Sequence, residues 1–337
     1  MKIDGPLVGS TAVGERARRL EELGFDGAFT FEGPHDPFFP LVQAARETTR
    51  LELATAVAIA FARSPMLLAN IGYDLQQISG GRFILGLGSQ IKPHIEKRFS
   101  MPWSKPAARM RELVLAVRAI WSAWSGEAKL DFRGEFYQHT LMTPFFNPGP
   151  NPHGNPRIFL AAVGPRMTEV AGEVADGIFI HPFNTPEYIR DTMLPALERG
   201  LAKSGRTLDD FEISHHVMLV SGSDDQTLEL ADTQVRGQIA FYGSTPAYRG
   251  VLESRGWGDL QPELNRLSKL GKWQEMTGLV TDEILETVAV CGKPSEIAAR
   301  VRGRCAPLAD RVSLVAIYAP DPALWVDAVA ELKRGAA

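Results

Sequence analysis

Three observations predict an α/β fold closed as a (β/α)8 TIM barrel. Short β-branched or aromatic runs alternate with longer stretches of helical period, these runs number eight, and 337 residues suit one barrel with insertions. The predicted strands are Lys2–Leu7, Phe25–Phe31, Leu51–Ile59, Arg82–Leu87, Arg157–Ala161, Gly177–His181, Phe211–Val220 and Arg311–Tyr318. A single domain over 1–337 follows, with two stretches outside the repeat, about 126–155 after the fourth strand and about 242–279 after the seventh.

The helices between these strands carry their own punctuation. Val13, Ala17, Leu20 and Leu23 recur at helical spacing, with Ser10 or Thr11 as the expected N-cap and Gly24 as the stop. Ser64 and Pro65 open a third helix whose expected buried stripe is Leu68, Ile71, Leu75 and Ile78, and Gly80-Gly81 ends it. Met110, Leu113, Val117, Ile120 and Trp124 stripe a long fourth helix, and Val170, Ala171 and Val174 stripe one that opens at Pro165. In the first insertion, Lys129–Phe132, Arg133-Gly134 and Glu135–His139 read as a β-hairpin, followed by an extended loop through Pro144, Pro148, Pro150 and Pro152. The second, rich in glycine and holding Trp257 and Trp273, reads as an irregular, partly helical excursion.

A net charge of -4 with 23% charged residues argues against a nucleic-acid footprint and a polybasic membrane patch, which leaves a small molecule as the expected partner. The two cysteines, Cys291 and Cys305, have no metal-site or disulfide-framework spacing, so a reducing cytoplasm is expected. Met1 to Gly9 lacks the apolar core of a signal peptide, and the apolar run Leu53 to Ala62 is far shorter than the ~20 residues of a membrane span.

In a barrel of this kind the site lies where strands end and the following loops begin. That rule selects Glu32 to Phe38 after the second strand, Gly86 to Gln90 and then His94 after the fourth, Ala162 to Met167 after the fifth, and His181 after the sixth. Gly164-Pro165 feeds a helix N-terminus with unpaired amides and Arg166 beside them, which reads either as a phosphate cradle or as a plain tight turn. Gly86-x-Gly88 lacks the third glycine of a dinucleotide fingerprint, since Ile91 stands there; small residues at this strand end either admit a flat ring or make a turn. His35 and His94 are the rim histidines placed for proton handling. His139 and His153 lie in the insertion, and only one of His215 and His216 can face the interior. No strand carries a Schiff-base lysine, since Lys2 stands at the wrong end, and the first strand offers no metal-ligand cluster.

Several segments together resemble the bacterial luciferase-like monooxygenase superfamily. They are Glu32 with His35-Asp36-Pro37-Phe38, Leu53 to Ala58 followed by Arg63-Ser64-Pro65, Gly80 to Gly88, and Leu160 to Pro165. The resemblance is greatest to the branch that uses the deazaflavin coenzyme F420, and it runs in order along nearly the whole chain. It implies an oxidoreductase that passes a hydride between the deazaflavin and a small organic substrate. Thr55, Ala56 and Val57 would form a bulge backing the ring, with a non-proline cis peptide at Ala56–Val57. Glu32, Gly88, Ser89, Gln90 and His94 would line the cofactor, and Ala162, Val163, Gly164, Pro165, Arg166 and Met167 would hold its phosphate. His35 or His94 would be the catalytic proton site, with Trp103 and Trp257 as either lid or core residues. A homodimer through the second and third helices is also implied. The sequence departs from the sugar-phosphate dehydrogenases of that branch, because Ser89 to Lys92 holds no carboxylate and no phosphate-binding cluster of lysines and arginine is found. The alternatives are an FMN-dependent monooxygenase on the same fold and a non-catalytic flavin-binding barrel.

Overall fold

A computed structural model describes residues 1–9, 11–306, 308–316, 318 and 321–334. Eight parallel strands form the barrel: β1 (Lys2–Pro6), β2 (Gly27–Thr30), β3 (Glu52–Thr55), β4 (Phe83–Gly88), β5 (Arg157–Ala162), β6 (Gly177–Ile180), β7 (Glu212–Val220) and β8 (Arg311–Val315). Hydrogen bonding runs β7-β8-β1-β2-β3-β4-β5-β6, and pairing of β6 with β7 closes the ring. Each predicted strand is present, shorter by a few residues at some ends. In the eighth, Ile317 lies outside the described residues. The third is interrupted, since pairing stops at Thr55 and resumes over Ala58–Ile59.

Around the barrel run α1 (Val13–Glu22), α2 (Phe38–Glu47), α3 (Pro65–Ile78), α4 (Pro106–Ser125), α5 (Pro165–Val174), α6 (Leu194–Lys203), α7 (Asp225–Gly243), α8 (Pro294–Cys305) and α9 (Val326–Arg334), with shorter helices between them. Ser64 caps α3 through a bond accepted from the Leu67 amide, with Pro65 in the first turn, as the spacing predicts. Two helical expectations are corrected. The N-cap of α1 is Ala12, in a left-handed conformation, instead of Thr11, while Ser10 lies outside the described residues. On α3 the buried face is Leu68, Ala69, Gly72, Tyr73, Leu75 and Gln76, whereas Ile78 is exposed. The small residues Ala69 and Gly72 let the helix settle with that side down, and Gly72 packs under Trp121 of α4.

The insertion after α4 holds a hairpin of two-residue strands, Phe132–Arg133 and Gln138–His139. Its turn is held by Glu112 of α4, whose carboxylate accepts from the backbone amides of Glu135, Phe136 and Tyr137. The excursion after β7 begins as the last turn of α7 and continues through helices Arg249–Glu253, Leu260–Lys269 and Trp273–Gly278. No described helix is long and apolar enough to cross a membrane.

Strand period two sorts side chains between the barrel's inside and outside. Phe29, Ala54, Ile84, Phe159 and Phe179 fill the interior, apart from the larger core between strands and helices. The N-terminal end is closed by charge: Arg311, 1% exposed, meets Asp4, Glu52 and Glu212, while Arg157 and Lys2 reach the two glutamates. Burial opposes charge on Glu52, but Arg311 and Arg157 outweigh it and bring its carboxyl down to about 2. For Asp4 burial prevails over Arg311, and its carboxyl rises to about 6. A folded value below the unfolded one means that Glu52 adds stability above its ordinary pKa and loses it as the pH falls toward 2.

Removing Arg311 leaves these carboxylates enclosed without their shared partner. Arg311→Met is expected to lower stability at pH 7 by about 3–5 kcal/mol in urea unfolding, with the deficit shrinking toward pH 3 as the carboxylates take up protons. A deficit that stays constant with pH would show that packing, not charge, is what the arginine supplies.

Candidate active site

The C-terminal ends of the strands are organised by the break in β3. Ala54 pairs with Ile84 and Ala58 with Leu87, so β3 takes four steps where β4 takes three, which is a β-bulge. The peptide Ala56–Val57 within it is cis, as the resemblance implies. Where the ladder is interrupted the Thr55 hydroxyl takes over, donating to the Gly86 carbonyl at 2.7 Å and accepting from the Gly86 amide at 3.0 Å.

The glycines of β4 answer to this bulge. A Cβ on Gly86 would lie 1.7 Å from the Thr55 carbonyl oxygen, and one on Gly88 would lie 2.6 Å from Cγ2 of Val57. The reading that their smallness admits a flat ring is corrected accordingly: that space is filled by β3. Ala56 and Val57 themselves are partly exposed, so the outer side of the bulge is the surface offered to a ligand.

Glu32, just beyond β2, braces the bulge from the other side. Its side chain is only 7% exposed. Oε2 accepts from the Ile59 amide at 2.7 Å and from Arg63 at 2.6 Å, and the Glu32 amide donates to the Val57 carbonyl at 3.1 Å. Arg63 also donates to Asp36 at 2.9 Å, and the Thr30 hydroxyl holds the Pro37 carbonyl at 2.7 Å, so the loop after β2 is fixed at both ends. With both partners satisfied, Glu32 is a positioning residue.

The other sequence-selected residues are distributed around this frame. His35 is exposed on the loop between these anchors. His94 is partly buried and begins the π-helical turn His94–Arg98, which Arg98 ties to the Gly33 carbonyl. The two histidines therefore sit on linked loops. Ser89 and Gln90 follow β4 half-buried; Gln90 has a φ of 58° and accepts from the Ile91 amide through its own side chain. Trp103 packs edge-on against buried Phe61, and Trp257 packs against the core under Arg255, so both serve as packing residues here.

At the end of β5 Ala162 is buried, and Val163 leads to Gly164, the N-cap of α5, with Pro165 at the first helical position. No side chain caps this helix, which leaves the amides of Arg166 and Met167 without an intrahelical partner. A Cβ on Gly164 would meet nothing within 4 Å, and Arg166 is exposed. Bare amides, a helix dipole and an exposed positive charge over open space make an anion-binding arrangement.

His181, selected as a strand-end position but given no chemistry, and residues the sequence reading did not select complete the mouth near β6 and β7. His181 lies against Tyr242 and Tyr248, with ring centroids 4.6 and 5.0 Å away. His216 is the member of its pair that faces inward, edge-on to Phe29 and Phe179, while His215 points outward to Cys305 of α8. Alternation along β6 and β7 carries a signal for Phe179, His181 and His216; the tyrosines arrive from the excursion and carry none.

Comparison with known proteins now bears on this geometry. The family model for luciferase-like monooxygenases matches residues 7–311. The chain belongs to the luciferase-like monooxygenase family. An uncharacterised protein of Mycobacterium tuberculosis is 57% identical over 313 residues, covering 93% of this chain and 92% of the relative. The 5,10-methylenetetrahydromethanopterin reductase of Archaeoglobus fulgidus is 30% identical over 292 residues, covering 83% and 82%. Among solved structures, the coenzyme F420-dependent tetrahydromethanopterin reductase from Methanopyrus kandleri superposes with a TM-score of 0.76 at 20% identity, over 98% of this chain and 96% of that one, and so shares the fold.

Two glycine substitutions separate packing from ligand approach. Gly86→Ala is expected to destabilise the protein by about 3 kcal/mol or more, because the obstructing atom is backbone. Gly164→Ala should cost no more than about 1 kcal/mol, as its side chain enters open space at an N-cap. Equal melting temperatures for the two variants would contradict this assignment.

Proposed function

We propose that the protein is a coenzyme F420-dependent oxidoreductase that transfers a hydride between the deazaflavin and a small organic substrate, an alcohol, carbonyl or activated double bond. The observation that carries this reading is the uncapped N-terminus of α5, open over Gly164, on the same rim as the partly exposed Ala56–Val57 bulge. Together these features suit a ligand with an anionic tail and a planar ring. Relatives named as F420-dependent support the choice of ring, among them a glucose-6-phosphate dehydrogenase of Nakamurella multipartita, 30% identical over 252 residues.

When bound, the deazaflavin supplies a carbon centre that gives or accepts a hydride and reacts poorly with oxygen. The protein's part is to position and to exclude. Ala56 and Val57 back the ring, held by Glu32 and by the Thr55 hydroxyl. Ser89 and Gln90 border it beyond β4, while Gly88, the last residue of that strand, makes the room Val57 needs. Ala162, Val163, Gly164 and Pro165 shape the turn that aims the amides of Arg166 and Met167 at a phosphate. His35 and His94, on the linked loops beyond β2 and β4, are the side chains assigned to proton handling.

Titrating cofactor-free protein with oxidised coenzyme F420 and with FMN tests the reading. F420 is expected to bind at micromolar concentration or below and FMN at least about tenfold more weakly, a difference near 1.4 kcal/mol. Arg166→Ala should weaken F420 binding about fivefold while leaving the melting temperature unchanged, as expected for an exposed charge at a helix N-terminus. Tighter binding of FMN would favour the monooxygenase reading. F420 binding without turnover across alcohols, ketones and enones would favour a flavin-binding barrel, and binding of neither cofactor would overturn the redox assignment.

A further inference from the structure

The mouth beside β6 contains an imidazole whose donor is free. His181 directly follows β6 and continues the inward alternation of Phe179, two residues before it. Its Nδ1 accepts from the Phe183 amide at 3.1 Å, which places the ring proton on Nε2. Tyr242 stands edge-on to the ring at an interplanar angle of 79°, and Tyr248 lies on another side, itself backed by Phe183, which is fully buried. The ring is thus fixed in orientation as well as in tautomer. Among the described residues no partner receives the Nε2 proton, and His181 is partly exposed at the mouth.

A second observation lies deeper. His216, 7% exposed, stands between Phe29 and Phe179, and its Nε2 has no partner among the described residues. The Ser214 and Ser313 hydroxyls are likewise buried and unpartnered. A barrel interior with several unanswered polar atoms under an open donor is built to receive oxygen atoms from outside, either water or ligand. Burial drives the His181 imidazole down to about 3, with His216 adding to the effect, and burial brings His216 itself to about 4. Tyr242 and Tyr248, the other titratable groups against His181, are pushed upward by burial and stay protonated. Among the described residues the titratable groups packed against the ring are uncharged, and with its tautomer set by the Phe183 amide His181 is held as a hydrogen-bond donor.

We propose that His181 is the oxygen-binding residue of a substrate subsite, its Nε2–H donating to the carbonyl or alcohol oxygen of a small substrate whose apolar body lies against Tyr242 and Tyr248. The redox step rests on the deazaflavin reading; the binding step does not. In the reducing direction a C–H bond would form at the carbonyl carbon, the hydride being what the reduced deazaflavin would supply when bound. The π pair of the C=O bond becomes an oxygen lone pair, which takes a proton from water or a rim histidine, and His181 keeps its own proton. A donor already aimed at the oxygen where negative charge collects stabilises that charge without reorganising. Activated double bonds lacking such an oxygen drop out of the substrate class.

The test uses acetophenone and α-methylstyrene, which has the same shape with a methylene group in place of the oxygen. Binding is measured on the whole protein, cofactor-free and saturated with oxidised F420, by ¹⁵N-histidine NMR and by displacement titration. Acetophenone is expected to shift the His181 Nε2–H resonance and to bind about tenfold more tightly than the styrene, the worth of one hydrogen bond to a neutral acceptor. His181→Phe should abolish the preference, and His181→Asn, which keeps an acceptor for the Phe183 amide and a donor, should restore part of it; melting curves identify folded variants. Equal binding of the two probes to the unaltered protein in both states, or an unchanged preference in His181→Phe, overturns the proposal. Because the cofactor-free arm needs no F420, a preference seen there in a protein that fails to bind F420 would sustain the subsite and sink only the redox reading, and the reverse result would do the opposite.

Discussion

The contact on which the rest of this molecule depends is the one between the Thr55 carbonyl and the bare Cα of Gly86. One extra residue in β3 pushes its backbone against β4, and only glycine leaves room for it. The Thr55 hydroxyl replaces the lost ladder bonds, and Gly88 receives Val57 one step further on. Seen from the barrel mouth, this turns a stretch of strand into a platform. Glu32, from the loop beyond β2, and Arg63, from the connection into α3, then set its position, so the charges nearest the bulge are spent on holding backbone and are not free for chemistry.

The two ends of the barrel treat charge in opposite ways. At the closed end, Lys2, Arg157 and Arg311 face Asp4, Glu52 and Glu212 across the interior, so the cluster fills the base without leaving net charge there. At the mouth near β6 and β7 burial keeps the imidazoles uncharged. A charged plug gives the barrel a rigid base of interlocking polar bonds. A neutral mouth leaves the uncapped amides of α5 and the exposed Arg166 as the attraction for an anion on that rim, which favours one orientation for a ligand carrying a negative tail.

The sequence made the architecture legible because strands and helices alternate with clear punctuation, and every predicted strand lies within a few residues of an observed one. Caps were less legible: Ser64 before Pro65 is a strong local signal, whereas Ala12 entering α1 in a left-handed conformation has none. The stripe on α3 misled because Ala69 and Gly72, small enough to let neighbouring side chains in, rotate the buried face away from Ile78. The bulge came from resemblance alone, since no spacing in Leu53 to Ala58 marks an extra residue. The cluster at Arg311 draws on positions from both ends of the chain and its middle, and becomes visible only once barrel register is known. His181 was legible as a strand-end position, but its surroundings were not, because the tyrosines against it come about sixty residues later.

On the proposed reading, one rim of the barrel holds a planar ring on Ala56–Val57 and its anionic tail at the start of α5. A crystal structure of the protein with oxidised coenzyme F420 measures this directly. Phosphate oxygens are expected within hydrogen-bonding distance of the Arg166 and Met167 amides, with the ring lying against the bulge. A phosphate bound elsewhere on the rim, or a ring held away from Ala56–Val57 by intervening side chains, would contradict it.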